Sequence, residues 1–219
     1  MRAQRLVALT WLLALVASCA PKPQASAQRA AAPVPGIGAV AVVPFRVGGE
    51  LNPDAAFTEK ADATSGVPDD LGDQAAAVLA DRLTVAGITV ADANAVRRAT
   101  PVGGTAVYDA ALGARVAKAV GAEFAVIGAI TRYVEREGSD WGVTVPATVW
   151  YQAVLVRALD GGVAARERFE YTQQPLTANL LELPRFLQGG GRWRTRRELL
   201  DGALGETAEK FATRLRTGR

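Results

Sequence analysis

Histidine is absent from all 219 residues, and cysteine and methionine occur once each, as Cys19 and Met1. Without imidazole there is no Ser-His-Asp or Cys-His relay and no imidazole metal site, and one thiol allows neither an internal disulfide nor a zinc cluster. Any enzyme chemistry would have to rest on carboxylates, lysine or tyrosine. A Walker loop is missing too, and Gly36-Ile37-Gly38 is half of a dinucleotide fingerprint, set before a strand and not after one. No cofactor and no metal are expected. Excess charge of one sign is also lacking. Two of the 25 basic residues, Arg2 and Arg5, lie in a leading segment without acids, so 23 basic side chains face 22 acidic ones behind it. A chain so balanced has no general attraction for nucleic acid or anionic lipid. No nucleic-acid partner is expected.

What is present begins with that leading segment. Arg2 and Arg5 precede an apolar run over residues 6–17, broken by nothing more polar than Thr10, and small residues lead into Cys19. A positive start, about a dozen apolar residues and a small-residue cleavage site make an export signal, too short to span a bilayer. Residues 20–35 are then Ala, Pro, Gln and Ser, including four prolines, with Val34 and two isolated charges. Such a segment buries too little to fold. As a tether it reaches about 20 Å when flexible and about 50 Å when extended as polyproline. The division expected is a signal peptide at 1–18, Cys19 with a disordered tether at 19–35, and a single α/β domain at 36–219.

Val16-Ala17-Ser18-Cys19 resembles the lipobox of bacterial lipoproteins. The resemblance implies cleavage before Cys19, lipidation of its thiol with palmitate-type chains, and acylation of the new amine. Each buried methylene contributes about 0.8 kcal/mol, so three chains anchor for good where one holds only marginally. Ala20 stands where inner-membrane retention shows Asp, which implies the periplasmic face of the outer membrane.

In the domain, residues 39–45 (AVAVVPF) read as a strand buried on both faces and halted by Pro44. A polar loop is expected over 46–68. Asp69 or Asp70 can then cap a helix with Leu71, Ala75, Val78, Leu79, Leu83 and Ala86 on its inner face, ended by Gly87. A short strand at 88–90 and a helix capped by Asp92 and stopping before Pro101 come next. A further helix buries Leu112, Val116, Ala119 and Val120, with Gly121 at its end. Strands follow at 124–134, 147–159 and 163–172, the last two joined by Asp160-Gly161-Gly162, a hairpin signal. In the last strand Val163, Ala165, Phe169 and Tyr171 fall on one side, and Arg166, Arg168 and Glu170 on the wet one. A Leu-rich stretch, 180–187, leads to Gly189-Gly190-Gly191. Thr195 and Glu198 then form a capping box before a final helix that buries Leu199, Ala203, Phe211 and Leu215. The expected fold is α/β (α+β), with a mixed sheet, three largely antiparallel C-terminal strands and packed helices, in the order β-α-β-α-α-β-β-β-α.

That order, with AVAVVPF, DQAAAVLADRLTVAG, ITVAD and VAKAVGAEFAVIGAITRYVE, resembles the bacterial lipoproteins related to CsgG, whose fold also occurs in LpoB, PelC and the N-terminal domain of TolB. The resemblance runs from residue 34 to 172 and implies no catalytic residues. Curli-channel subunits extend membrane-spanning hairpins from this core, each strand needing about nine to eleven alternating residues. The connection here, VEREGSDWGVTVPA, is short and polar, so this chain is not expected to form a pore.

Two surface candidates follow. Arg192, Trp193, Arg194, Arg196 and Arg197 gather four cations and an indole after the triple glycine, a contact for an acidic or carbohydrate partner such as peptidoglycan or an acidic polysaccharide. The alternative is a solvated turn with Trp193 packed into the core. Trp141 is either a partner anchor or a cover for the sheet edge. The acidic pairs Asp69-Asp70 and Glu135/Glu137 read as caps and turn charge, with carboxylate catalysis as the remote alternative. The expected role is a non-catalytic, self-associating binding or assembly component of an envelope secretion or polysaccharide-export system, or alternatively a monomeric activator of a peptidoglycan synthase.

Overall fold

The computed structural model describes residues 38–48, 66–101, 108–139, 143–174 and 192–218. Cys19, the tether, Trp141 and the 180–187 stretch lie outside them. Among the described residues the elements are β1 (Val40–Val42), β2 (Arg46–Val47), α1 (Leu71–Val85), α2 (Ala93–Ala99), α3 (Ala110–Ala119), β3 (Phe124–Val134), β4 (Glu137–Gly138), β5 (Val143–Val145), β6 (Thr148–Arg157), β7 (Val163–Thr172) and α4 (Arg196–Thr217). The main sheet runs β1-β3-β6-β7, with β2 also paired to β3. β1 and β2 are parallel to β3, and β3, β6 and β7 are antiparallel. This is the mixed sheet with packed helices that the apolar pattern predicts.

Alternation along the strands builds two cores. One face joins Val40, Val42, Val126, Ile130, Tyr151 and Leu155 to the inner sides of α1 and α4, and the other joins Ala41, Val43, Ile127, Val154 and Val156 to Val96, Leu112 and Val116 of α2 and α3. β1 therefore is buried on both faces, as a continuous apolar run requires. It is shorter than expected. Pairing stops at Val42 and resumes at Arg46, because Pro44 has no N–H for the ladder and the Phe45 N–H turns instead to the carbonyl of Gly72 at 3.0 Å.

Phe45 sets how closely the layers meet. Its ring lies where a Cβ on Gly128 would approach to 2.2 Å, and its carbonyl lies 2.0 Å from the position of a Cβ on Gly72. Tyr151 meets the same ring edge-on at 6.3 Å, stacks on Phe169 at 5.5 Å, and shares a 2.8 Å hydroxyl hydrogen bond with buried Thr207 of α4. Burial raises the Tyr151 phenol well above its usual range, so this bond joins two neutral hydroxyls.

Several local expectations change. Asp70 sits at the N-cap of α1 but accepts no backbone cap bond; its Oδ1 takes the Gln74 side chain at 2.8 Å. Asp92 does cap α2, accepting from the Ala95 N–H at 2.8 Å. The strand at 88–90 shrinks to one bridge between Val90 and Val40, since α2 starts as soon as Asp92 is reached. On α3 the buried arc centres on Leu112, Gly113, Val116 and Ala117, which leaves Ala119 on its exposed rim and Val120 half-buried. Gly87 (φ 81°) and Gly121 (φ 69°) stop their helices in the left-handed region, as their positions predict. The 46–68 loop opens with β2, and the polar connection after β3 holds the small β4–β5 pair. Val163 belongs with α3, opposite Ala165 and Phe169, because a bulge between Leu155 and Val156 pairs Val156 with Val163 and shifts the alternation.

Gly128→Ala is expected to cost about 1–3 kcal/mol, because the ring of Phe45 must move from a filled core. Gly113→Ala, whose Cβ would stand 3.2 Å from Ile127 Cγ2, should cost less. Urea unfolding of both variants checks the order, and equal costs would show that the Phe45 seat is soft.

Candidate functional site

The face of the sheet toward α2 and α3 is only half covered by them. Cross-strand register places its side chains in rows. Ala125–Val156–Val163 and Ile127–Val154–Arg166 lie at the end that α3 packs, Ala129 of the row Ala129–Gln152–Arg168 is the last residue of that core, and Arg132–Trp150–Glu170 and Val134–Thr148–Thr172, with Thr148 itself buried, continue past it. Rows on one face are about 7 Å apart. The change from apolar to polar happens within single strands, from Val154 and Val156 to Gln152, Trp150 and Thr148 on β6.

A second bulge aims the decisive residue. The register shifts between Ile130 and Arg132, so Thr131 is extra on β3, Tyr133 turns into the α1–α4 core and Arg132 turns to the half-covered face. There its guanidinium sits 5.0 Å from the centre of the Trp150 ring. The Arg132 Nε is shut off from solvent and has no hydrogen-bond acceptor. An unmet buried donor costs about 1–3 kcal/mol. Beside this pair, Arg168 holds Glu170, and the Thr148 and Thr172 hydroxyls lie 3.0 Å apart.

The arginine cluster at the start of α4 is wired differently. Trp193 is 9% exposed and packs in the core. Arg192 forks the Glu198 carboxylate, and the Arg194 guanidinium donates to the Glu198 carbonyl at 3.1 Å. Arg196, 17% exposed, donates to the carbonyls of Gly66 (2.8 Å) and Tyr133 (3.3 Å), lies 4.5 Å over the Tyr133 ring and pairs with Glu135 at 3.5 Å. Arg197, 69% exposed, stands 4.0 Å from Asp201. Thr195 and Glu198 form the expected capping box. The fork from Arg192 and the bond from the Thr195 N–H hold the Glu198 carboxyl down at about 2. A carboxylate in that position also offsets the unfavourable placing of arginines at a helix N-terminus.

The acidic pairs are not joined into a reacting site. Asp70 binds Gln74, Glu135 faces Arg196, and Glu137 lies exposed on β4. Among the described residues no group of three acidic side chains or other ligands is placed to hold a metal ion. A cleft of about 70 Å³ between β1, α1 and α2, lined by Val42, Ala76, Ala80 and Ala91 and rimmed by the Asp73–Arg97 ion pair, has room for a few waters. No described helix is long and apolar enough to cross a membrane.

No protein-family model matches the sequence, and no curated protein matches it. Solved structures similar to it include the PelC dodecamer from Paraburkholderia phytofirmans, at 18% identity over 81% of this chain and 86% of that one, with a TM-score of 0.40. Lipoprotein GNA1162 from Neisseria meningitidis matches at 19% identity over 69% and 91%, TM-score 0.40. The C-terminal domain of LpoB from Salmonella enterica matches at 14% over 63% and 84%, TM-score 0.34. Likenesses this distant carry no argument about role, which has to come from the residues of this chain.

The α4 corner makes a pH signature. The Glu198 carboxyl is depressed from 4.5 to about 2 on folding, so its contribution is complete above the unfolded value and fades as pH falls from about 4.5 toward 2. About a third of the side chain is exposed, so solvent screens the pair. Glu198→Gln, which can still accept from the Thr195 N–H, is expected to cost up to about 1 kcal/mol at pH 7 through the lost charge in the Arg192 fork, with the gap closing toward pH 2. Urea midpoints across that range check it, and a gap that does not change with pH would remove the electrostatic role.

Proposed function

We propose that this chain is a non-catalytic lipoprotein, anchored through Cys19 to the periplasmic face of the outer membrane, whose domain is a binding or assembly component of an envelope secretion or polysaccharide-export system. The observation that carries the binding reading is the half-covered sheet face, where a cation and an indole are displayed on interior strands beyond the reach of α3. The carboxylates support a non-catalytic role, being tied to arginines, amides or helix starts and not set against one another.

The anchor is read from the Val16–Cys19 box. Arg192, Trp193, Arg194, Arg196 and Arg197 serve this reading mainly as the brace that joins α4 to β3 through Tyr133 and Glu135, with Arg197 left for a partner, and Trp141 is retained as a contact. Self-association would use faces, because β7 carries Arg166, Arg168 and Glu170 along the sheet edge, a pattern that blunts strand-to-strand pairing.

Two measurements on the mature protein extracted in detergent test this. Its intact mass is expected to begin at Cys19 with acyl chains attached, and Cys19→Ser should leave the outer-membrane fraction; an unmodified thiol would remove the anchor. Sedimentation should show a discrete multi-subunit species. A monomer at every concentration would favour the activator of a peptidoglycan synthase.

A further inference from the structure

Arg132 is held unlike the arginines of the α4 corner. Those meet carboxylates and carbonyls, whereas Arg132 lies against Trp150 and, among the described residues, no carboxylate or carbonyl accepts from it. Stacking on an indole fixes the plane of a guanidinium and leaves its N–H edges in that plane, the geometry that receives two coplanar oxygens. The ring also strips water from one side of the cation, which strengthens its pull on an anion.

We propose that these rows are a binding site for an acidic saccharide, with a uronate carboxylate gripped by the Nη edge of Arg132. The neighbouring rows supply what sugar hydroxyls need: the amide of Gln152 on one side, and on the other the hydroxyl of half-buried Thr172, which is held by buried Thr148. An acidic peptide fits less well. β3 and β6 are interior strands with neighbours on both sides, so they offer no open backbone edge for an added strand. The site rests on the binding reading above and names its ligand class.

The test uses the full mature lipoprotein in detergent and an oligogalacturonate of defined length, with a neutral oligosaccharide of equal length and polyglutamate as comparisons. Calorimetry and tryptophan fluorescence are read together. Oligogalacturonate is expected to bind, to weaken as salt rises and to outcompete both comparisons. Arg132→Gln should lose at least tenfold in affinity, Arg132→Lys should recover only part of it, and Arg82→Gln, on the exposed side of α1 across the sheet, should bind as the unaltered protein does. Trp150→Phe should keep most of the affinity by calorimetry and lose the fluorescence change, which places the sugar even if Arg132→Gln does not fold. Undetectable binding, equal binding of the neutral oligosaccharide, tighter binding of polyglutamate, or a fluorescence change that survives in Trp150→Phe would each overturn the assignment. Cys19 lipidation and subunit mass do not depend on these outcomes, so failure here would leave the envelope role standing.

Discussion

The seat of Phe45 is the constraint on which the rest of the domain depends. One residue touches β3 at Gly128 and Tyr151 at the centre of β6 with its ring, and the start of α1 at Gly72 with its backbone. Tyr151 then passes the constraint to α4 through Thr207 and to β7 through Phe169. Glycines at 72 and 128 are needed for closeness, since neither is in the left-handed region, and each removes a methyl that would hold two layers apart. Pro44 takes part by breaking β1, because an unbroken ladder would keep the Phe45 N–H in the sheet and away from α1. The sheet therefore sacrifices ladder pairing at one point and gains a fixed distance to the helix layer.

The same trade appears in the electrostatics. The arginines around α4 bring positive charge to a helix start, where the macrodipole disfavours it, and each charge is answered locally. Glu198 serves two masters, the Thr195 cap and the Arg192 fork, while Arg196 binds the end of β3 through a carbonyl, a ring and Glu135. These contacts fix the far end of the sheet, the end whose opposite face lies beyond α3. A surface made rigid from one side in this way is preorganised and loses less entropy on binding.

Much of this was legible in the sequence where information is local. β3 and β7 occupy the predicted spans, the Thr195/Glu198 box is present, and Asp160 Oδ1 accepts from the Gly162 N–H in the expected hairpin. What was hidden is set by register. Arg132 and Trp150 lie 18 residues apart and meet only because β3 and β6 align with one residue to spare. Trp150 reads alone as an ordinary strand residue. A signal was nevertheless there: in TVWYQAVLVR the even positions change from Thr, Trp and Gln to Val and Val, while the odd ones stay apolar almost throughout. That change marks where one face of the strand passes out from under α3. Val163 escaped for the related reason that strict alternation does not foresee a bulge.

Thr131 can be regarded as a frame shift within the sheet. Up to Ile130 the even-numbered side chains of β3 serve the core under α1 and α4, and from Arg132 onward they serve the opposite surface. One strand therefore runs two reading phases, an interior one that is locked by Phe45 and an exterior one that is not. What the exterior phase displays can be rewritten without touching the interior phase, so this fold can change its ligand while keeping its architecture.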